Sequence, residues 1–160
     1  MGDDALPAAR VALVDVYVIG WDEAGAVRAL TLRRASGRSP GSWEAVHGHI
    51  EGGERPADTA WREVIEETGL TPDRLYNLSR VESFYMHRLD LVALVPAFVA
   101  VVRGNPAVTV SDEHDLAEWL PLREARARMA WPRCRRALDD IADLLAGGDA
   151  GPLEDVLRVR

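Results

Sequence analysis

The chain has 160 residues, a formal net charge of −7, an isoelectric point near 5.1 and a hydrophobic content of 48%. That length suits one domain with a substantial core, and the acidic balance argues against the basic surface that a nucleic-acid polymer selects. A small polyphosphate remains compatible, because bound cations can carry the neutralising charge. All 19 basic residues are Arg, a bias expected of GC-rich coding rather than of function. The single Cys134 excludes an internal disulfide and a cysteine-rich zinc site, and is read as a core or half-buried thiol. MGDDALPAAR lacks the basic and apolar segments of a signal peptide. The longest apolar run, Leu91 to Val102, is too short to span a bilayer and is interrupted by Pro96. The expectation is a soluble, cytoplasmic protein with no membrane partner.

In chain order, Val11 to Ile19 (VALVDVYVI) reads as a strand, and the segment Trp21 to Ala26 turns around Glu23, Ala24 and Gly25. Val27 to Arg34 alternates as a second strand and closes a hairpin. Ser36 to Ser42 is a loop, and Trp43 to Ile50 is a short strand that runs into a glycine-rich bend. Pro56 suits the first turn of a helix, where its missing N–H costs nothing. Gly69 can end that helix in the left-handed conformation, and Pro72 discourages its resumption. Leu78 to Met86 and Leu91 to Val102 form a further hairpin around His87 to Asp90. Within it, Pro96 calls for an edge position or a bulge. Leu116 to Leu120 is a short strand, followed by helices near Leu122 to Met129 and Pro132 to Leu145. Strands flanked by helices predict an α/β fold, a mixed β-sheet in an α/β/α sandwich, as a single domain over residues 1–160 with residues 1–9 and roughly 147–160 flexible. The terminal GGDAGPLEDVLRVR fits a tail, a last helix or a dimer contact.

The predicted helix carries the chemistry. At about 100° per residue, Ala57, Ala60, Trp61, Val64, Ile65 and Thr68 gather on one face to be buried. Glu63, Glu66 and Glu67 gather on the flank beside it. Like charges at this spacing destabilise a helix by a few tenths of a kcal/mol, roughly, per pair. Three such glutamates on an arbitrary helix are usually a solvated acidic face. A hard divalent cation reverses the sign of the repulsion, because it selects oxygen ligands.

The spacing decides between these readings. Residues 48–70, GHIEGGERPADTAWREVIEETGL, place Gly48, Glu54, Arg62, Glu63, Val64, Glu66, Glu67, Gly69 and Leu70 in a pattern that resembles the Nudix box at every defined position. The resemblance implies the Nudix fold and a Mg²⁺- or Mn²⁺-dependent pyrophosphohydrolase. It implies that Glu63 and Glu67 are direct metal ligands and that Glu66 is a further ligand or the general base. Arg62 would clamp Glu54 and hold the loop against the helix, and the backbone carbonyl of His47 would complete the metal site.

Outside the box, Glu113, His114 and Trp119 in SDEHDLAEW resemble the glutamate–histidine pair and tryptophan of dATP and dihydroneopterin triphosphate pyrophosphatases. Glu113 is then a distal carboxylate that binds metal or activates water, against the plainer reading of a solvated loop acid. Arg33 and Arg34 enter the flexible loop, and alternation brings only one of them to a given face. Either is a candidate for substrate phosphates, and Trp43 is a candidate to stack on a ring or to fill the core. Tyr85 and His87 could cover a pocket mouth. His47 and His49 share a strand face, but zinc would need a third soft ligand nearby. The implied reaction is hydrolysis of a nucleoside diphosphate linked to another moiety, first a nucleoside or pterin triphosphate giving the monophosphate and pyrophosphate. Alternatives are an ADP-sugar or oxidised-nucleotide hydrolase and, in another class, a nucleotide-sensing module without catalysis. Many relatives of this kind are homodimers, although no segment here identifies an interface.

Overall fold

A computed structural model describes residues 6–160. The expectations for residues 1–9 and for MGDDALPAAR therefore lie, over positions 1–5, outside the described residues. In chain order the elements are β1 (Ala8–Val11), β2 (Leu13–Trp21), β3 (Val27–Arg34), β4 (Trp43–Glu44), β5 (Val46–His49), α1 (Pro56–Thr68), β6 (Arg74–Met86), β7 (Leu91–Val101), β8 (His114–Pro121), α2 (Leu122–Arg128), α3 (Pro132–Leu145) and α4 (Glu154–Leu157).

The sequence of β2 determines the layering. Nearly all of it is buried, and successive side chains leave opposite faces of a strand. Val14, Val16 and Val18 pack with Leu30, Leu32 and Val46 and with Ala60 and Val64 of α1. Tyr17 and Ile19 pack with Ala125 of α2 and with Cys134, Ala137, Leu138 and Ile141 of α3. A strand apolar on both faces needs both faces covered, and the result is the expected α/β/α sandwich. Its sheet is mixed: β1 and β2 run parallel to β7, whereas β3 and β5 run antiparallel to β2, β8 to β3 and β6 to β7.

Two departures from the predicted strands share one cause. The expected strand Val11 to Ile19 breaks at Ala12, since Val11 aligns with Leu94 but Asp15 aligns with Ala97. That leaves one extra residue on the β1–β2 side, a β-bulge. On the other flank of β7 the register of β6 shifts between Asn77 and Val81. Pro96 lies between the two irregularities, so it occupies a central strand by virtue of bulges rather than an edge. The predicted strand Trp43 to Ile50 divides because its two halves pair with different partners, β4 with β3 and β5 with β2.

The helix α1 starts at Pro56 and ends where Gly69 takes φ 71°, its N–H donating to the Ile65 carbonyl. One position of its predicted face is corrected. Ile65 is 39% exposed, and Glu67 is buried in its stead. The C-terminal segment packs against β6: the Leu75 N–H donates to the Arg160 carbonyl over 2.8 Å, and the Arg160 guanidinium lies 4.1 Å from the Trp61 ring centre. Among the described residues no helix is long and apolar enough to cross a membrane.

Candidate active site

The bend before α1 is held by a clamp. Arg62 donates through Nε to Glu54 Oε1 over 2.8 Å and through Nη2 to Glu54 Oε2 over 2.9 Å, a bidentate pair of the kind a planar guanidinium favours. Thr59 Oγ1 donates to the same carboxylate over 2.8 Å, and Arg62 Nη2 also reaches the His49 carbonyl at 3.1 Å. The hydrogen bond from Arg62, then that from Thr59, lowers the Glu54 pKa to about 2. Gly48 is required by what stands behind it. A Cβ at that position would come 2.1 Å from Glu63 Cδ, so the bare backbone is what lets the Glu63 carboxylate lie against β5.

Strand β5 supplies backbone groups as well. Val14 pairs with Gly48 and Asp15 with His47, and Ile50 N–H donates to the Ala12 carbonyl. In an antiparallel ladder the hydrogen-bonded pairs alternate, so Gly48 points its polar groups at β2 while His47 and His49 point theirs away. That outward side faces α1. The Arg62 contact to the His49 carbonyl lies there, and the His47 backbone favours the charged form of Glu67 from the same side. The His47 carbonyl is thereby directed to the side on which the glutamates stand.

Glu67 is the most perturbed group of the cluster. It is 4% exposed and its Oε2 has no hydrogen-bond partner. Burial, then the charges of Glu63, Glu113 and Glu44, push its pKa up to about 9. Burial also raises Glu63, against the opposing pull of Arg62. Behind Glu67, His114 Nδ1 stands 3.7 Å from Oε2, and His114 Nε2 lies 3.1 Å from Glu44 Oε1. Arg34 Nη1 donates to that same Glu44 oxygen over 2.6 Å, and Arg34 Nη2 is 3.6 Å from Glu113. Burial raises Glu44, but the hydrogen bonds from His114 and Arg34 outweigh it, and the net shift is downward.

The predicted residues thus divide into two groups. Glu63, Glu66, His47, Arg62, Arg34 and Glu113 line one open cleft of about 470 Å³, with Glu67 beneath and Glu54 clamped behind. Arg33 and Trp43 point elsewhere. Arg33 forms a bidentate pair with Asp115, and Trp43 lies under the Arg128 guanidinium at 4.5 Å. Strand alternation explains both, since Arg34 and Glu44 take the site-facing positions next to them. Tyr85 is exposed, and its hydroxyl donates to Asp90 at the hairpin tip.

Sequence reasoning did not single out Glu44, Asp15 or Arg133. Asp15 is 1% exposed, with Oδ1 at 2.5 Å from His47 Nδ1 and Oδ2 at 2.7 Å from Arg133 Nε. A lone acid in VALVDVYVI was the available signal, because a buried carboxylate needs a partner. Its partner Arg133 is 118 positions away, and no local pattern connects them. A second cavity of about 420 Å³ opens beside the first, sharing Arg34, His47 and His49 and walled by Phe84, Trp131 and Arg133.

The donor set fits a hard divalent cation. It offers only carboxylate and carbonyl oxygens, and the unpartnered Glu67 oxygen is a buried acceptor that a cation would satisfy. Among the described residues no three such side chains converge on a ready-made ion site. Arg62 Nη1 holds Glu63 at 2.9 Å and Glu66 at 3.0 Å, and binding would have to draw those carboxylates toward Glu67.

Comparison with known proteins gives the family. The NUDIX domain family model matches residues 12–141, and the chain belongs to the Nudix family. It is 31% identical over 142 residues to an octanoyltransferase of Myxococcus xanthus, covering 84% of this chain and 37% of that protein. It is 33% identical over 85 residues to the asymmetrical bis(5'-nucleosyl)-tetraphosphatase of Mus musculus, covering 52% of this chain and 58% of that one. The chain therefore spans well under two thirds of these relatives. In structure it resembles the E. coli dihydroneopterin triphosphate pyrophosphohydrolase with a TM-score of 0.65, at 23% identity over 81% of this chain and 96% of that one.

Proposed function

We propose that this chain hydrolyses a P–O–P bridge in a nucleoside diphosphate linked to another moiety, using Mg²⁺ or Mn²⁺. A nucleoside or pterin triphosphate, giving the monophosphate and pyrophosphate, is the first substrate class. The observation that carries this reading is the buried Glu67 carboxylate, with one oxygen unpartnered and a pKa pushed up to about 9, beside Glu63. Such a group is costly without a positive charge against it.

Glu63, Glu66, Glu67 and the His47 carbonyl would hold the cation. When bound, it supplies charge against the phosphoryl oxygens and acidifies the attacking water. Glu66 or Glu113 takes the proton of that water, and both line the open cleft. Arg34, at the junction of the two cavities, directs a guanidinium N–H to a phosphate oxygen. Arg62 and Glu54 touch no reacting atom; they hold the bend so that the Glu63 carboxylate and the His47 carbonyl keep their places.

The test is release of pyrophosphate or phosphate, with Mg²⁺ and with Mn²⁺, from a panel of nucleoside triphosphates, pterin triphosphate, oxidised nucleotides, ADP-sugars and a dinucleoside tetraphosphate. Cation-dependent release from at least one of them is expected. A folded chain inert toward the whole panel points instead to a nucleotide-sensing module. Glu113→Gln should lower kcat by about 100-fold, the low end for loss of a proton acceptor, with little change in nucleotide affinity. An unchanged kcat leaves Glu113 as a surface acid.

A further inference from the structure

The second cavity has a chemistry distinct from the carboxylate cleft. Its floor is the Arg133 guanidinium, at 5.2 Å from the Phe84 ring centre and 5.3 Å from that of Trp131. Arg133 is held in place from below, by Nε on Asp15 Oδ2 at 2.7 Å and Nη2 toward Asp15 Oδ1 at 3.4 Å. His47 Nδ1, at 2.5 Å, takes the remaining side of Oδ1. The buried carboxylate therefore already balances the Arg133 charge. Among the described arginines of this cavity Arg38 is the one without a carboxylate partner, so a phosphate would fall to Arg38 and not to Arg133. A guanidinium neutralised from behind and flanked by two aromatic rings suits a flat, uncharged ring that accepts hydrogen bonds at its edge.

We propose that this cavity reads the base of the substrate, and that Arg133 selects a bicyclic ring carrying a keto oxygen beside a ring-nitrogen acceptor. Trp131 and Phe84 flank the plane of the ring, and the Arg133 N–H groups that Asp15 leaves unused donate to the acceptor pair. Guanine presents O6 and N7 in this arrangement, whereas adenine presents a donor amine beside N7. A pterin offers the same keto-and-nitrogen edge as guanine. The phosphates would then run past Arg34 and His49, which line both cavities, to the carboxylate cleft. This assignment rests on the proposed nucleotide reading of the site and names the ring that the site accepts.

The test is calorimetric binding of GMP, a pterin monophosphate, AMP and CMP to the full chain without divalent cation, beside hydrolysis of the corresponding triphosphates with it. GMP or the pterin should bind about tenfold more tightly than AMP and CMP, as a bidentate arginine contact discriminates bases. Arg133→Lys keeps a cation on Asp15 but loses the fork, and should abolish the preference, bringing GMP and the pterin down to the affinity of AMP and CMP. Trp131→Ala, at a position 40% exposed in the free chain, should weaken all ligands by fivefold or more per folded molecule, with the folded fraction read from the melting curve, on the order of one lost stacking contact. Equal affinity for all four ligands, or a preference unchanged in Arg133→Lys, overturns the assignment even if every triphosphate is hydrolysed. Discrimination by a chain that hydrolyses nothing upholds this pocket and removes the catalytic reading alone.

Discussion

Glu67 and Glu54 are two glutamates of one segment with opposite fates, and environment alone separates them. Glu67 is buried among other carboxylates, so its charge is costly; Glu54 is gripped by Arg62 and Thr59, so its charge is favoured. Glu67→Gln should therefore reduce turnover by at least ~100-fold if it holds the cation, as expected for lost charge stabilisation, without unfolding the chain. The independent readout is thermal: Mg²⁺ should raise the melting temperature of the native chain, because a ligand that binds only the folded state stabilises it. The variant should lose most of that rise. For Glu54 the pH window follows from its depressed value. An unfolded glutamate protonates near 4.5, and the folded one near 2. The stability from this clamp is complete above about pH 4.5 and lost as the pH falls through about 2. The difference in melting temperature between the native chain and Glu54→Gln should accordingly be largest near neutrality and vanish at about pH 2. A difference that persists there would assign the clamp's contribution to packing instead of charge.

At the scale of elements, two glycines mark where backbone sets the site. Gly69 ends α1 at φ 71°, a conformation that costs an L side chain about 1–2 kcal/mol. The space around it is ordinary, with Thr109 Cβ at 3.5 Å from an added methyl. Gly69→Ala should lower stability by about 1 kcal/mol in chemical denaturation and leave kcat unchanged. Gly48 is different: an added Cβ would meet Glu63 Cδ at 2.1 Å. Gly48→Ala should displace the Glu63 carboxylate and suppress activity by more than tenfold, roughly the effect of a misplacement of about 1 Å. The fold should survive, since the clash is with a partly exposed side chain. Equal loss of activity in the two variants would mean that the helix end, rather than the cradle for Glu63, governs the site.

In the whole molecule, the sheet separates two cores with different duties. The α1 side carries the glutamates, whereas the α2–α3 side, with Leu138, Ile141 and Leu145 almost fully buried, supplies support and the Arg133 pocket wall. Leu138→Ala should cost 2–5 kcal/mol, about the usual penalty for a large-to-small core change. Its kcat per folded molecule should stay within about twofold, because α1 and its glutamates lie on the other face of the sheet. A large kcat defect at constant folded fraction would show that the α3 core transmits geometry to the carboxylate cleft.

Local pattern was sufficient for some of this and insufficient for the rest. The boundaries of β3, α1, α2 and α3 were legible because each depends on near neighbours, such as a proline at a helix start and a glycine past its end, whereas the Glu54–Arg62 clamp was legible only through the family resemblance. The burial of Glu67 rather than Ile65 was not legible, since helical angle alone cannot say how far α1 rolls against β5. Nor was the choice of Arg34 over Arg33, or the outward turn of Trp43 onto Arg128, because alternation gives two faces and only the sheet says which is inside. The Asp15–His47–Arg133 group and the Glu44–His114–Glu67 chain join residues from distant strands and helices. The sequence by itself determined the family and the acidic flank, as contiguous spacing carries both. Tertiary structure alone decided which carboxylate is dry and which aromatic rings face the site, because desolvation and long-range pairing have no local signature.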